Sequence, residues 1–164
     1  MNKNLKPETK TFIELNGFKE LTAVQKEVLK YANSHKDVIA LSKTGTGKTH
    51  AYLIPIMEMI NPKSDKTQVV ISLPTRELAY QVNQNCKIMQ EVYPDLRIQL
   101  LAGGTDKKRS IAKLDNTPHI VIGTPGRIKD LFESNVLRVD FVQTFIIDEA
   151  DMTLEYGFLP DIDT

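Results

Sequence analysis

Apolar residues along this chain follow two alternating rhythms. Short runs such as Val38-Ile39-Ala40-Leu41, Val69-Val70-Ile71, Ile120-Val121-Ile122 and Phe145-Ile146-Ile147 have the length and branched character of strands. Between them lie longer stretches whose apolar positions recur at helical spacing. The pattern predicts a helix over 22–34, a strand over 37–42, and a helix from about Lys48 to Ile60. The polar segment 61–66, with Pro62 inside it, is a loop. A strand over 68–73, a helix over 75–92, a strand over 97–102 and a helix over 105–115 follow. A strand over 119–123, a helix after Pro125 and a strand over 143–148 complete the series. Strands separated by helices of this length join in parallel, so the expected class is α/β, a parallel sheet with helices on both faces. The run 145–147 is wholly apolar, as a strand covered on both faces should be. Sheets of this kind bind ligands at the carboxyl ends of their strands.

The candidate chemistry falls at those ends. Ser42-Lys43-Thr44-Gly45-Thr46-Gly47-Lys48-Thr49 follows the apolar run 38–41 directly. A strand, a glycine-bearing turn and Lys-Thr opening a helix is the arrangement that grips a nucleoside triphosphate. Backbone N–H groups of Thr44, Gly45, Thr46 and Gly47 wrap the phosphates, and the new helix points its positive end at them. Lys48 reaches the β and γ phosphates, and the Thr49 hydroxyl holds Mg²⁺. Gly45 and Gly47 bring the backbone close, with no Cβ in the way. The usual pattern has a further glycine where Ser42 stands, a position that tolerates a small residue, and the alternative to the phosphate loop is an ordinary strand-to-helix turn.

Asp148-Glu149-Ala150-Asp151 follows the strand at 143–148. A carboxylate at the end of a buried strand is costly without a partner, and Mg²⁺ beside the phosphate loop supplies one. Asp148 then steadies the metal, and Glu149 orients and deprotonates the attacking water. Taken alone, the same residues read equally well as an acidic turn capping the next segment.

Composition narrows the setting more than the function. Lys plus Arg and Asp plus Glu number 21 each, so the formal net charge is zero. A polynucleotide would therefore bind through a local groove and not through a global field. Cys86 is the only cysteine, which rules out an internal disulfide and fits a reducing cytosol; packing is its expected role. No apolar run approaches membrane length, so no membrane partner is expected, and no signal segment is evident at the start. His35, His50 and His119 lack metal-ligand spacing and read as structural.

Taken together, these residues resemble the DEAD-box RNA helicases. Asp148-Glu149-Ala150-Asp151 spells the family's signature, Pro74-Thr75-Arg76-Glu77-Leu78-Ala79 is similar to its motif Ia, and Thr124-Pro125-Gly126-Arg127 to its motif Ib. Gly103-Gly104 matches the glycine pair between them, and Phe18 with Gln25 matches the adenine-reading Q motif. The order fits from Phe18 to Asp151. The resemblance implies a P-loop NTPase of RecA-like fold, with ATP and Mg²⁺ as cofactors and RNA as partner. Gln25 would bond the adenine edge and Phe18 would stack on the base. Thr22-Ala23-Val24-Gln25 also has capping-box spacing, and both roles can hold in part. Where Leu21-Thr22 stands the family usually has Pro-Thr. Thr75, Arg76, Gly104, Thr124, Gly126 and Arg127 would line an RNA groove, contacting backbone and not base sequence. A salt bridge within the lobe for Arg76, and a plain helix start for Thr124-Pro125-Gly126, stay open beside this.

The resemblance also sets expectations for organisation. Residues 1–164 would form the first helicase lobe, ending soon after the DEAD motif, with the Q-motif region in 1–36. Family members continue through a Ser-Ala-Thr strand and a second RecA-like lobe that supplies arginines in cis. The chain is therefore expected to be an incomplete first lobe, poorly stable alone and with negligible RNA-stimulated turnover. The intact protein would be a cytoplasmic RNA-stimulated ATPase that unwinds short duplexes or remodels RNA–protein complexes. A bacterial member with ribonucleoprotein or ribosome-assembly partners is compatible. The rival readings are a DNA motor of the wider superfamily, a non-hydrolysing ATP- and RNA-binding module, and a small-molecule kinase. The kinase leaves Pro74–Ala79 and Thr124–Arg127 unexplained.

Overall fold

Six helices and four strands make up the structure, a computed structural model that describes residues 4–41, 47–101 and 107–151. They divide into two compact units, Met1–Ile60 with Ile88–Pro94, and Asn61–Lys87 with Asp95–Thr164.

The first unit is helical. Helix α1 (Pro7–Leu15) was not expected from the apolar pattern. Pro7 sits in its first turn, where its fixed φ suits the helix and its missing N–H costs nothing. The Glu58 carboxylate takes the Lys6 N–H at 3.1 Å and the Thr9 hydroxyl at 2.7 Å, so a distant side chain caps this end. At the other end Gly17, at φ 75°, turns the chain. The Gly17 N–H bonds the Glu14 carbonyl and the Phe18 N–H bonds that of Ile13, the paired pattern of a Schellman stop. Helix α2 (Ala23–Ala32) opens with a complete capping box between Thr22 and Gln25. Helix α3 (Lys48–Met59) buries Leu53, Ile54, Ile56 and Met57 and packs against both α1 and α2.

The strand expected over 37–42 is not formed in its described part. Residues 37–41 have no regular structure, and Ile39 and Leu41 are 92% and 93% exposed. A strand exists by its neighbours' hydrogen bonds, and among the described residues none pairs with this run.

The second unit carries the sheet. Strands β1 (Val69–Ser72), β2 (Ile98–Leu101), β3 (Ile120–Gly123) and β4 (Thr144–Ile147) are all parallel, in the order β2-β3-β1-β4. Helices α4 (Arg76–Val92), α5 (Lys107–Lys113) and α6 (Pro125–Glu133) make the crossovers. Every residue of β1 and β3 is buried, so both faces are covered there. On one face Val70, Leu101 and Val121 pack with Leu131 and Leu137, flanked by Ile111 and Ile128. Gly123 is required by closeness: a Cβ there would stand 2.5 Å from the Leu101 carbonyl oxygen.

Strand β4 corrects the reading of 145–147 as doubly covered. It is an edge strand among the described residues, with Phe145 47% and Ile147 37% exposed. An apolar run reports a preference for burial and not the presence of a cover.

His119 fastens the amino-terminal side of the sheet. Its Nδ1 accepts the Arg97 N–H at 2.9 Å and its Nε2 lies 2.7 Å from the Ser64 carbonyl. A backbone N–H can only donate and a carbonyl can only accept, so the ring is neutral with its proton on Nε2. Burial, the largest influence, lowers its pKa, as does the Arg97 charge. Cys86 is buried and its thiol is pushed up to about 12 by desolvation, which makes it a packing residue.

Candidate functional site

The residues expected to act on a nucleotide lie in both units. In the first, α3 begins at Gly47, whose φ of 81° is left-handed and whose position carries no side-chain cap. The first-turn N–H groups of Lys48 and Thr49 therefore meet no capping side chain, the condition under which a helix end accepts phosphate. Lys48 and Thr49 are half-buried. Thr44, Gly45 and Thr46 lie outside the described residues, as do Ser42 and Lys43.

Gln25 is fully buried and its amide is engaged on both sides. Its Oε1 accepts the Thr22 N–H at 3.0 Å and its Nε2 donates to the Gly47 carbonyl at 3.3 Å. Gln25 therefore ties the start of α2 to the start of α3. A Cβ on Gly47 would come within 2.6 Å of that Nε2, so the glycine is fixed by space as well as by its backbone angle. The capping box foreseen beside the adenine role is thus real, and it leaves one amide hydrogen for other work. Phe18 is half-buried and its ring meets that of His50 edge to face, with centroids 5.0 Å apart and planes at 80°.

In the second unit the strand register brings three motifs side by side. Ser72 stands level with Gly123 on one side and with Ile147 on the other. The chain leaving β1 therefore enters Pro74-Thr75, that leaving β3 enters Thr124-Pro125, and that leaving β4 enters Asp148-Glu149, all at one edge. The Leu73 N–H bonds the Gly123 carbonyl and the Asp148 N–H bonds that of Ser72, which extends the ladder into the motifs.

Thr75 starts α4, its hydroxyl accepting the Leu78 N–H at 3.2 Å. Thr124 starts α6 with Pro125 in the first turn, and its own hydroxyl does not cap the helix. Arg76 and Gly126 are exposed and Arg127 is half-buried. Among the described residues Arg76 makes no ion pair. Gly104 lies outside the described residues.

The Asp148 Oδ1 accepts the Glu149 N–H at 2.9 Å, and Glu149 holds φ at 53°. A side chain in the left-handed region costs about 1–3 kcal/mol, and such strain gathers at functional turns. Nothing in the composition or spacing signalled this. In the first unit Lys48 offers a cation and Thr49 a hydroxyl, and in the second Asp148 offers a carboxylate, each a donor type used on magnesium nucleotides.

Residues 22–164 match the DEAD/DEAH box helicase family. The chain belongs to that family. It is 47% identical over 161 residues to the DEAD-box ATP-dependent RNA helicase CshB of Bacillus subtilis, covering 97% of this chain and 37% of that protein. Its identity to CshB of Listeria monocytogenes is 45% over 152 residues, covering 92% and 35%. The chain thus spans about a third of the length of these relatives. Among solved structures, a DEAD box protein from the hyperthermophile Methanococcus jannaschii superposes with a TM-score of 0.90 at 34% identity, over 99% of this chain and 44% of that one. Yeast Dbp5, solved with Nup159, Gle1, IP6 and ADP, gives 0.86 at 26% identity, over 97% and 42%. The α/β reading and the DEAD-box resemblance are both borne out.

Proposed function

We propose that this chain is the ATP-binding first lobe of a cytosolic ATP-dependent RNA helicase, with residues 1–164 in that lobe and the Q-motif region in 1–36. The observation that carries the reading is the placement of Thr75, Thr124 and Asp148 at the carboxyl ends of adjacent parallel strands. The naming of its relatives as RNA helicases and the ADP in the Dbp5 structure support it.

In this reading ATP, bound with Mg²⁺, supplies the reactive γ-phosphoryl group. Phe18 offers its ring to the adenine, and Gln25 offers the amide hydrogen that its bond to Gly47 leaves. The backbone of Thr44, Gly45, Thr46 and Gly47 and the Lys48 ammonium hold the phosphates. Thr49 and Asp148 are the residues that would hold the metal. Glu149 accepts the proton of the attacking water and is already set by its strained backbone. Thr75, Arg76, Gly104, Thr124, Gly126 and Arg127 take RNA phosphates and riboses, so binding is independent of sequence. Cooperative closure on ATP and RNA in the whole protein would strain a short duplex apart or remodel an RNA–protein complex, including one of ribosome assembly.

The test is steady-state ATPase of the whole protein with single-stranded RNA, with DNA and with neither. Stimulation by RNA alone, abolished in Glu149→Gln with ATP still bound, is expected. Equal stimulation by DNA would move the protein to the wider motor class. Bound ATP with no turnover would leave a binding module.

A further inference from the structure

We propose that His50 is a positioning residue that holds Phe18 in place for the base, an inference that rests on Phe18 being the adenine platform. The sequence alone presents His50 as a structural residue. In the structure it stands in the first turn of α3, two positions beyond Lys48, with its imidazole turned toward the end of α1.

Three contacts define that ring. Its Nε2 lies 2.9 Å from the Asn16 Oδ1. An amide oxygen only accepts, so Nε2 carries the proton and donates it. The Asn16 Nδ2 in turn donates to the Phe12 carbonyl at 2.7 Å, which fixes the amide's orientation at the close of α1. The Phe12 ring stands 6.2 Å from the imidazole and the Phe18 ring 5.0 Å from it, edge to face.

Phe18 is thereby held twice. The Schellman pair at Gly17 and Phe18 fixes its backbone, and His50 fixes its ring. Without His50 the backbone restraint remains, and the ring gains rotamer freedom that a stacking base must remove. Since His50 also belongs to the helix turn that would meet phosphate, one side chain sets the distance between the base end and the phosphate end of the site. A packing role alone would not distinguish the two ends.

That asymmetry is testable on the whole protein. ATP and inorganic tripolyphosphate are titrated against the wild type, His50→Ala, His50→Phe and Phe18→Ala, with KM and kcat of the RNA-stimulated ATPase alongside. Tripolyphosphate has no base, so it reports the phosphate end and the integrity of the fold. Loss of the pre-set ring should weaken ATP by about three- to ten-fold. In His50→Ala that loss should appear in KM, with kcat and tripolyphosphate affinity unchanged. His50→Phe keeps an aromatic edge against Phe18 and should restore most of it. In the Phe18→Ala background, His50→Ala should have no further effect. Equal weakening of ATP and tripolyphosphate, or an additive double variant, would overturn the inference. Full ATP affinity in His50→Ala, with Phe18→Ala impaired, would do so as well. Full ATP affinity in Phe18→Ala would instead sink the adenine platform itself, and this inference with it.

Discussion

Replacing Gln25 by Glu separates two roles that the sequence could not. As the third residue of a capping box, glutamate serves as well as glutamine, and a carboxylate in the first helical turn gains about 0.3–1 kcal/mol from the helix dipole. Capping alone therefore predicts a neutral or slightly stabilising change. The structure predicts the opposite, because Gln25 is fully buried and its Nε2 donates to the Gly47 carbonyl at 3.3 Å. A carboxylate there faces a carbonyl oxygen with nothing to donate. The folded chain escapes by protonating the new side chain, whose hydroxyl can then bond Gly47. With an unfolded pKa of about 4.3, holding that proton at pH 7 costs about 3.7 kcal/mol, which is the ceiling on the penalty. The sign follows from linkage: the folded pKa is raised, so the penalty is full at neutral pH and shrinks by about 1.4 kcal/mol for each pH unit downward until the unfolded value is reached. Urea unfolding of wild type and Gln25→Glu at half-unit steps from pH 7.5 to 4.5 reads this as a converging difference. Gln25→Met, which lacks both charge and hydrogen bonds, should show a difference flat in pH. A Gln25→Glu penalty below about 0.5 kcal/mol at pH 7, or one that ignores pH, would refute the reasoning.

Two further outcomes follow from the sheet. Gly123→Ala places a methyl 2.5 Å from the Leu101 carbonyl oxygen and 3.2 Å from Ile128 Cγ1, so β2 and β3 must part. A loss of about 1–3 kcal/mol in urea unfolding is expected, and an unchanged midpoint would count against the close approach. His119 is held neutral and its pKa lies below the ordinary 6.5, so the unfolded chain binds its proton first. Stability should therefore fall as the pH drops below about 6.5, a slope to which His50, also lowered by burial, adds with the same sign. His119→Leu should show a shallower decline between pH 7 and 5 than the wild type, and an equal decline would remove His119 from the account.

Much of this was legible in the residues. Periodicity found every described strand of the sheet and five of the six helices because those segments bury one stripe or two faces. It missed α1, whose evidence was punctuation: Pro7 at the start and Gly17 at the stop. It overreached at 37–41 and 145–147 for a shared reason. Apolar character records what a segment would gain by burial, whereas pairing is decided by a second segment that the local pattern does not contain. At the site, spacing placed Asp148 and Glu149 correctly after a strand. The left-handed backbone at Glu149, the Gln25–Gly47 bond and the His50–Phe18 contact were invisible, since each depends on an angle or on residues distant in sequence.

The strand order carries a consequence for how the chain is made. Among the described strands β1 is synthesised first and ends up between β3 and β4, the last two of the four to emerge. Thr67 and Pro118, which bond where β1 and β3 begin, are 51 positions apart. At ordinary elongation rates a nascent β1 waits on the order of seconds before either neighbour has left the ribosome. During that interval Val69, Val70 and Ile71, all buried in the finished sheet, lack both strands that they pair with and are open to a chaperone or another nascent chain. Translation speed between Ser72 and Ile120 therefore sets how long the central strand goes unprotected, and slowing it there should lower the yield of soluble protein even though the finished fold is unchanged.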